Sequence, residues 1–478
     1  MMSNAPNPID ALRAQVDVML NTLNQDSPIG STVVFQVRND KETAFEQSAA
    51  TLTTATRQLP GCKEFAFHKY IPIAPDPNPA SAQHLIYEQW ESVRLFRSQW
   101  DSAHLKQFQY GSLDMVAAPP SLNFYGGAED SQFTRVFQTG QKRCWNANGE
   151  PISCTGSGQD GDIRAGLPSP SPRFNDNNDG TVTDNLTGLI WLKNANMFGE
   201  VAWTQALQNA AALGSGSLGL TDGSRPGDWR MPNVNEFQSI LDLNNSDGAA
   251  LPPTHPFINA TPANYWSSST VQAATPLGWY CALAVGPPVF DLKFNVMRMW
   301  PVRGKSMRIA KTGQMQCFDP MGQPIPCPGT GQDGELQNGV AWPDPRFTDN
   351  RNGTAKDNLT GLTWLLDAGH FSPLAWEDAL AVCKALADGQ GGLKDGSRPG
   401  DWRLPNLFEL RSLIDYSQYS PALPSKHPFQ NVRTSLYWSS TTVASAPNLA
   451  RFVFVGIGPS VWDHKSVMLN VWPVSGSR

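Results

Sequence analysis

The chain has 478 residues, 40% of them hydrophobic and only 16% charged, which leaves room for about three domains with substantial cores. A net charge of −6 with no basic run argues against an electrostatic nucleic-acid footprint. No stretch approaches the ~18 apolar residues of a membrane-spanning helix. Gly (40) and Pro (39) mark a turn-rich chain, and 16 Trp read first as indole plugs in loop-rich cores rather than as ligand platforms.

Met1 to Asp10 is polar and lacks the basic region of a secretory leader, and the apolar positions from Leu12 to Leu23 are interrupted as in an amphipathic helix. Residues 31–125 then read β-α-β-β-α-β. Ser31–Val37 is a strand, and Lys41–Leu59 is a helix stopped by Pro60-Gly61. Glu64–Ile71 and Gln83–Trp90 are strands split by the Pro-rich stretch 72–79. Ser92–Tyr110 is a helix and Ser121–Tyr125 a closing strand.

Beyond residue 130 the chain is written twice. Asp222–Arg230 reads DGSRPGDWR, and Asp395–Arg403 repeats it letter for letter 173 positions on. The same offset carries Cys144 onto Cys317, Gly158–Gly161 onto Gly331–Gly334 and Asp184–Leu189 onto Asp357–Leu362. Further on it becomes 172, joining His255-Pro256-Phe257 to His427-Pro428-Phe429 and Tyr265–Ser268 to Tyr437–Ser440. So long a period is a tandem domain, not a solenoid unit. The expected domains are 1–126, 131–303 and 308–478.

Each copy opens on two cysteines ten apart, Cys144 and Cys154 or Cys317 and Cys327, flanking Asn148-Gly149 or Met321-Gly322. A Gly turn between short segments reads as a hairpin whose cysteines face one another, so two disulfides are expected, with reduced buried thiols as the alternative. Disulfides favour an oxidising compartment and the missing leader favours the cytoplasm, so the location is open. Cys62, Cys281 and Cys383 read as small core residues. A second hairpin follows at Gly180 or Gly353. A helix spans Ala202–Leu213 or Ala375–Leu386, and another starts at Asn233 or Asn406 with Glu236 or Glu409 completing a capping box. Short strands close each copy, among them Phe452–Val455 and Val467–Val471.

The ordered run Gly-Gln-Asp-Gly, Asn- or Asp-Gly-Thr, Asp-Asn-x-Thr-Gly-Leu-x-Trp, Asp-Trp-Arg-Leu/Met-Pro-Asn-x-x-Glu, Tyr-Trp-Ser-Ser and Trp-Pro-Val resembles the Lcl C-terminal domain (DUF1566) family over nearly all of both copies. The resemblance implies a C-type-lectin-like α+β fold and, for some members, surface adhesion and glycan binding. Ser475 departs from the pattern where the first copy has Arg303. In the N-terminal region Val34–Val37, Pro60-Gly61-Cys62, Tyr87–Ser92 and Ser102-Ala103-His104 resemble the antibiotic biosynthesis monooxygenase family. That implies a ferredoxin-like domain of the dimeric α+β barrel type, with cofactor-independent quinol oxidation among the activities of relatives. Members often carry His nine positions after the Trp, where this chain has Gln99. No flavin or dinucleotide fingerprint is present.

Three constellations follow. Glu88, Trp100 and His104 could line an apolar substrate pocket with His104 as acid–base group, or His104 could simply cap and pack its helix. Asp176, Asn178, Asp179 and Asp184 resemble a calcium loop, although the bidentate Glu at position twelve of an EF-hand is missing. The second copy has Arg351 in that loop, and a plain hairpin turn explains the pattern as well. No other cofactor is expected. Arg225, Asp228, Trp229, Arg230 and Trp266, with Arg398, Asp401, Trp402, Arg403 and Trp438, could grip a glycan or brace the fold over an indole. The expected function is a binding protein, two lectin-like modules for a glycan or surface ligand on a homodimerising N-terminal domain. The alternative is a monooxygenase acting on a small aromatic or quinol substrate.

Overall fold

The structure, a computed structural model, describes residues 29–69, 81–118, 120–126, 136–245, 248–284, 286 and 288–476, together with Asp10, Arg13, Ala14, Val16, Asp17 and Leu20, which are helical. The Pro-rich stretch 72–79 and the rest of the expected first helix lie outside the described residues. Two compact units result, 1–131 and 132–478. No helix among the described residues is long and apolar enough to cross a membrane.

The first unit runs β1 (Ile29–Arg38), α1 (Glu42–Thr56), β2 (Cys62–Lys69), β3 (Ser81–Trp90), α2 (Val93–Trp100), α3 (Ala103–Gly111) and β4 (Ser121–Gly126). The strand order is β2-β3-β1-β4, all antiparallel, which is the ferredoxin-like arrangement. Period-two patterning buries His84, Ile86, Glu88 and Trp90 of β3, while Leu85 and Tyr87 on the other face are half-buried. The single helix expected over Ser92–Tyr110 is two. Ser102 takes an extended backbone and its hydroxyl accepts from the Leu105 amide, and this N-cap ends one helix and starts the next.

In the second unit each copy has the expected hairpins and both helices, at Trp203–Ala212 and Val234–Ser239 and again at Trp376–Ala385 and Leu407–Ser412. Both capping boxes form, Asn233 with Glu236 and Asn406 with Glu409. In the first copy one five-stranded sheet joins Phe174–Asp176, Thr181–Asp184, Ile190–Leu192, Val302–Arg303 and Trp229–Arg230, and a second is built around Asn264–Thr270 and Leu277–Ala282. Leu449–Phe454 is a strand. The strand expected over Val467–Val471 reduces to isolated bridges, Leu469 with Leu374 and Asn470 with Tyr437. Both disulfides are formed, Cys144–Cys154 and Cys317–Cys327. Cys281 and Cys383 are buried and Cys62 is partly so.

One hydrophobic core runs through both copies, and Trp279 of the first meets Tyr416 of the second edge to face, 5.4 Å between centroids. The disulfide hairpins are exchanged. That of the first copy docks on the body of the second, where Lys465 Nζ donates to the Trp145 and Asn146 carbonyls at 3.1 and 3.2 Å. That of the second docks on the first, where Lys293 Nζ donates to the Phe318 carbonyl. The ammoniums lie over Trp376 and Trp203, 4.1 and 4.2 Å from the ring centroids. Burial pulls Lys465 down to about 8 and Lys293 to about 7.

The Gly-Gln-Asp-Gly turns make the same exchange. Asp160 Oδ2 accepts from Thr139 and from Thr441 of the other copy, each at 2.6 Å, and Asp333 Oδ2 accepts from Thr312 and from Ser269 of the other copy. Asn406 Nδ2 donates to the Ala165 carbonyl and Asn233 Nδ2 to that of Asn338, both at 3.1 Å. The last glycine of each turn, Gly161 or Gly334, lies so close to the Arg143 or Gln316 carbonyl that a Cβ there would collide.

Candidate functional site

Inside the first unit the buried face of the sheet does not close completely against α1 and α3. A cavity of about 280 Å³ remains, walled by Val33, Phe35, Phe65, Ile86, Phe108 and Leu122 with Leu52 and Leu105 of the helices. Among the described residues its one ionisable wall group is Glu88. The register of β1 against β3 puts Ser31 opposite it, and Ser31 Oγ donates to Oε1 at 2.7 Å while Trp90 Nε1 donates to Oε2 at 2.9 Å. Burial pushes the Glu88 carboxyl up, and these two donors only partly offset that. Trp100 also lines the cavity, and its buried Nε1 has no hydrogen-bond partner. A mostly apolar wall with one acid, an indole donor and the polar side chains of Gln109 and Ser112 suits a small, mostly apolar molecule bearing a hydroxyl or carbonyl.

Glu88 and Trp100 are thus brought together, and His104 is not among the wall residues. Its Nε2 faces Gln99 Oε1 at 2.8 Å, and Gln99 in turn donates to Thr56 Oγ1. Burial pulls the His104 imidazole down. His104 therefore packs α3 against α2 through Gln99. Phe35, Phe65 and Phe108 were legible only as alternating or periodic apolar positions, a signal that marks core and cavity wall alike.

In the second unit the Asp-Trp-Arg motif is a brace. Arg230 makes two 2.6 Å bonds to Glu236, and Arg403 makes the same pair with Glu409, so the guanidinium locks the capping box that starts the next helix. Asp228 and Asp401 accept from the Arg225 and Arg398 amides at 2.8 Å. Trp229, Trp266, Trp402 and Trp438 are at most 1% exposed, with each indole N–H bonded internally. A ring with no exposed face has nothing to stack on a sugar, so these four are core plugs and not a platform. Arg225, Asp228, Arg398 and Asp401 remain exposed. Arg303 pairs with Asp222 at 3.4 Å and lies over Trp229, so its replacement by Ser475 removes an internal contact.

The acidic loop is likewise spoken for. Asp184 is fully buried and its two oxygens face Arg173 Nε and Nη2 at 3.3 Å, with Thr187 also donating. Asp176 is held by Lys193 Nζ at 2.5 Å and accepts from the Asn178 amide. Asp179 caps Thr181 through its amide and hydroxyl. Asn178 takes the left-handed backbone of a tight turn, φ 61°. The four residues do not converge on one cation. Arg351 at φ 58° occupies the same turn position in the second copy, where a side chain pointing to solvent suffices.

Comparison with known proteins separates the same parts. Residues 180–303 and 353–475 match the family model of the Lcl C-terminal domain, and residues 28–110 match that of antibiotic biosynthesis monooxygenase. No curated protein matches. Among solved structures the first unit is similar to a protein from Nitrosomonas europaea assigned to antibiotic biosynthesis monooxygenases (19% identity, 23% of this chain and 97% of that one, TM-score 0.19). It is similar also to one from Caulobacter crescentus CB15 assigned likewise (16%, 23% and 99%, 0.20) and to a conserved protein from Methanosarcina mazei Go1 (18%, 21% and 92%, 0.19).

Proposed function

Because the chain belongs to the Lcl C-terminal domain family, carrying that domain twice behind an antibiotic biosynthesis monooxygenase domain, we propose that it is a ligand-binding protein with a binding site in the cavity of the first unit. The ligand is a small phenol or quinol. The observation that carries this is the apolar cavity with the Glu88 carboxyl held in its wall by Ser31 and Trp90. The Lcl copies are C-type-lectin-like modules in this reading. They contribute a rigid double body whose exposed loops, including Arg225 and Asp228, meet a glycan or surface ligand. The half-buried Leu85 and Tyr87 on the open sheet face support pairing of two chains through that face. Two chains would carry four copies and gain avidity.

A second reading, oxidation of the bound quinol by dioxygen without a cofactor, is favoured by one feature. Burial raises the proton affinity of the Glu88 carboxyl, which makes its ionised form a stronger base toward a phenolic hydroxyl in the cavity. Titrating hydroquinone into the full chain while following tryptophan fluorescence and oxygen uptake tests both. Binding that is lost in Phe108→Trp, which fills the cavity, and weakened in Glu88→Gln supports the site. Oxygen uptake in the wild type that Glu88→Gln abolishes supports the oxidation. Hydroquinone that neither binds nor is consumed sinks both.

A further inference from the structure

Away from the cavity, two carboxylates and an imidazole converge on one point. Glu42 and Glu46 stand one helical turn apart on α1 and so share a face. His84 of β3 lies beneath them with no exposed surface, its ring stacked on Phe67 at 5.4 Å and packed against Phe45. Those aromatic contacts hold Nε2 toward the helix, 3.2 Å from Glu46 Oε1 and 3.5 Å from Glu42 Oε1. The three ligand atoms all lie within 4.8 Å of one another. A tetrahedral zinc ion with bonds of ~2.0–2.1 Å sets its ligand atoms about 3.3 Å apart. Two of the three edges already have that length, and the third closes by rotation of a partly exposed glutamate.

A positive charge already sits there. Lys69 Nζ of β2 is 2.6 Å from Glu42 Oε1 and 3.9 Å from Glu46 Oε1. Its side chain is half exposed, so its ammonium has a path into water. We propose that Glu42, Glu46 and His84 form a binding site for a divalent zinc-type ion, and that the Lys69 ammonium holds the ion's place until it arrives. Two carboxylates and a neutral imidazole are hard-to-borderline donors that suit zinc or cobalt, and a solvent oxygen completes the tetrahedron. The ion would tie α1 to β3. The site shares no residue with the cavity walls and stands whether or not the cavity binds a phenol.

The test uses the full chain, freed of metal with a chelator and titrated with cobalt(II) and then zinc(II). Cobalt should give the visible ligand-field bands of a tetrahedral ion, zinc should erase them, and zinc should raise the melting temperature. E42Q and E46Q each keep side-chain volume on a partly exposed helix face, and each should weaken cobalt binding at least about tenfold. K69M should bind more tightly than the wild type. No tetrahedral bands in the wild type, or bands that E42Q and E46Q leave unchanged, would overturn the site. K69M binding no tighter would overturn the place-holding role of the lysine.

Discussion

Thr441 donates its hydroxyl hydrogen to Asp160 at 2.6 Å across 281 residues of chain, and Ser269 does the same for Asp333 at 2.5 Å. Each link joins the Gly-Gln-Asp-Gly turn of one copy to the Tyr-Trp-Ser-Ser strand of the other. The duplicated region is therefore one body, closed reciprocally by hairpins that precede the residues matched to the family.

Reciprocal closure predicts how a single copy behaves. Residues 308–476 alone keep a hairpin that has lost its docking body and a body that has lost its hairpin. They should either stay unfolded or pair into a dimer by the same exchange. Light scattering behind a sizing column decides the matter, with residues 136–476 as the monomeric control. A folded monomer of residues 308–476 would show that a copy can close on its own hairpin.

The buried aspartates predict a pH dependence. Burial pushes Asp160 and Asp333 up to about 6 from 3.8. Both folded-state values are raised, so the folded protein binds these protons more tightly than the unfolded chain. Their stabilisation is complete below pH 3.8 and is lost as pH rises through 6. Asp160→Asn keeps an oxygen for Thr139 and Thr441 and cannot ionise. It should be more stable than the wild type at pH 7.5 by about 3 kcal/mol, a gap that closes toward pH 4. Denaturant melts at both pH values measure it, and a pH-independent gap would place the effect elsewhere.

A turn and a calcium loop respond differently to the loss of Asp184. Removing it leaves Arg173 buried without its carboxylate, which costs about 3–5 kcal/mol with or without calcium. Asp184→Ala should lower the melting temperature equally in calcium and in chelator. Calcium-dependent stabilisation of the wild type that the variant lacks would restore the loop as a metal site.

The disulfides predict where the exchange is weakest. Cys144→Ser with Cys154→Ser opens a hairpin whose carbonyls receive Lys465. The cost should be about 2–4 kcal/mol. It should appear as faster hydrogen exchange at Trp145 and in the strand of Thr441, which belongs to the other copy. Exchange confined to the hairpin itself would mean that the two are not coupled.

What could be read from the letters was whatever short-range chemistry dictates. The duplication, the paired cysteines, the Asn-x-x-Glu starts of Val234–Ser239 and Leu407–Ser412 and the β-α-β-β-α-β order of the first unit all depend on contacts within a dozen residues or on direct self-similarity. Burial was legible only as a first reading of the tryptophans as core plugs. The Asp-Trp-Arg and Tyr-Trp-Ser-Ser indoles have the residue types of a sugar platform, and only their complete enclosure turns them into core. Glu88 and His84 become neighbours of a cavity and of two glutamates because strand alternation and helix packing bring distant positions to one face. The exchange of hairpins lay furthest from view. Asn406 could as well have met the Asn338 carbonyl of its own copy as the Ala165 carbonyl of the other, because repeated sequence offers the same donors and acceptors to both. Identical local energies cannot choose between closing back and crossing over. The choice falls to the three-dimensional path between each hairpin and its body, and that path exists only in the folded molecule.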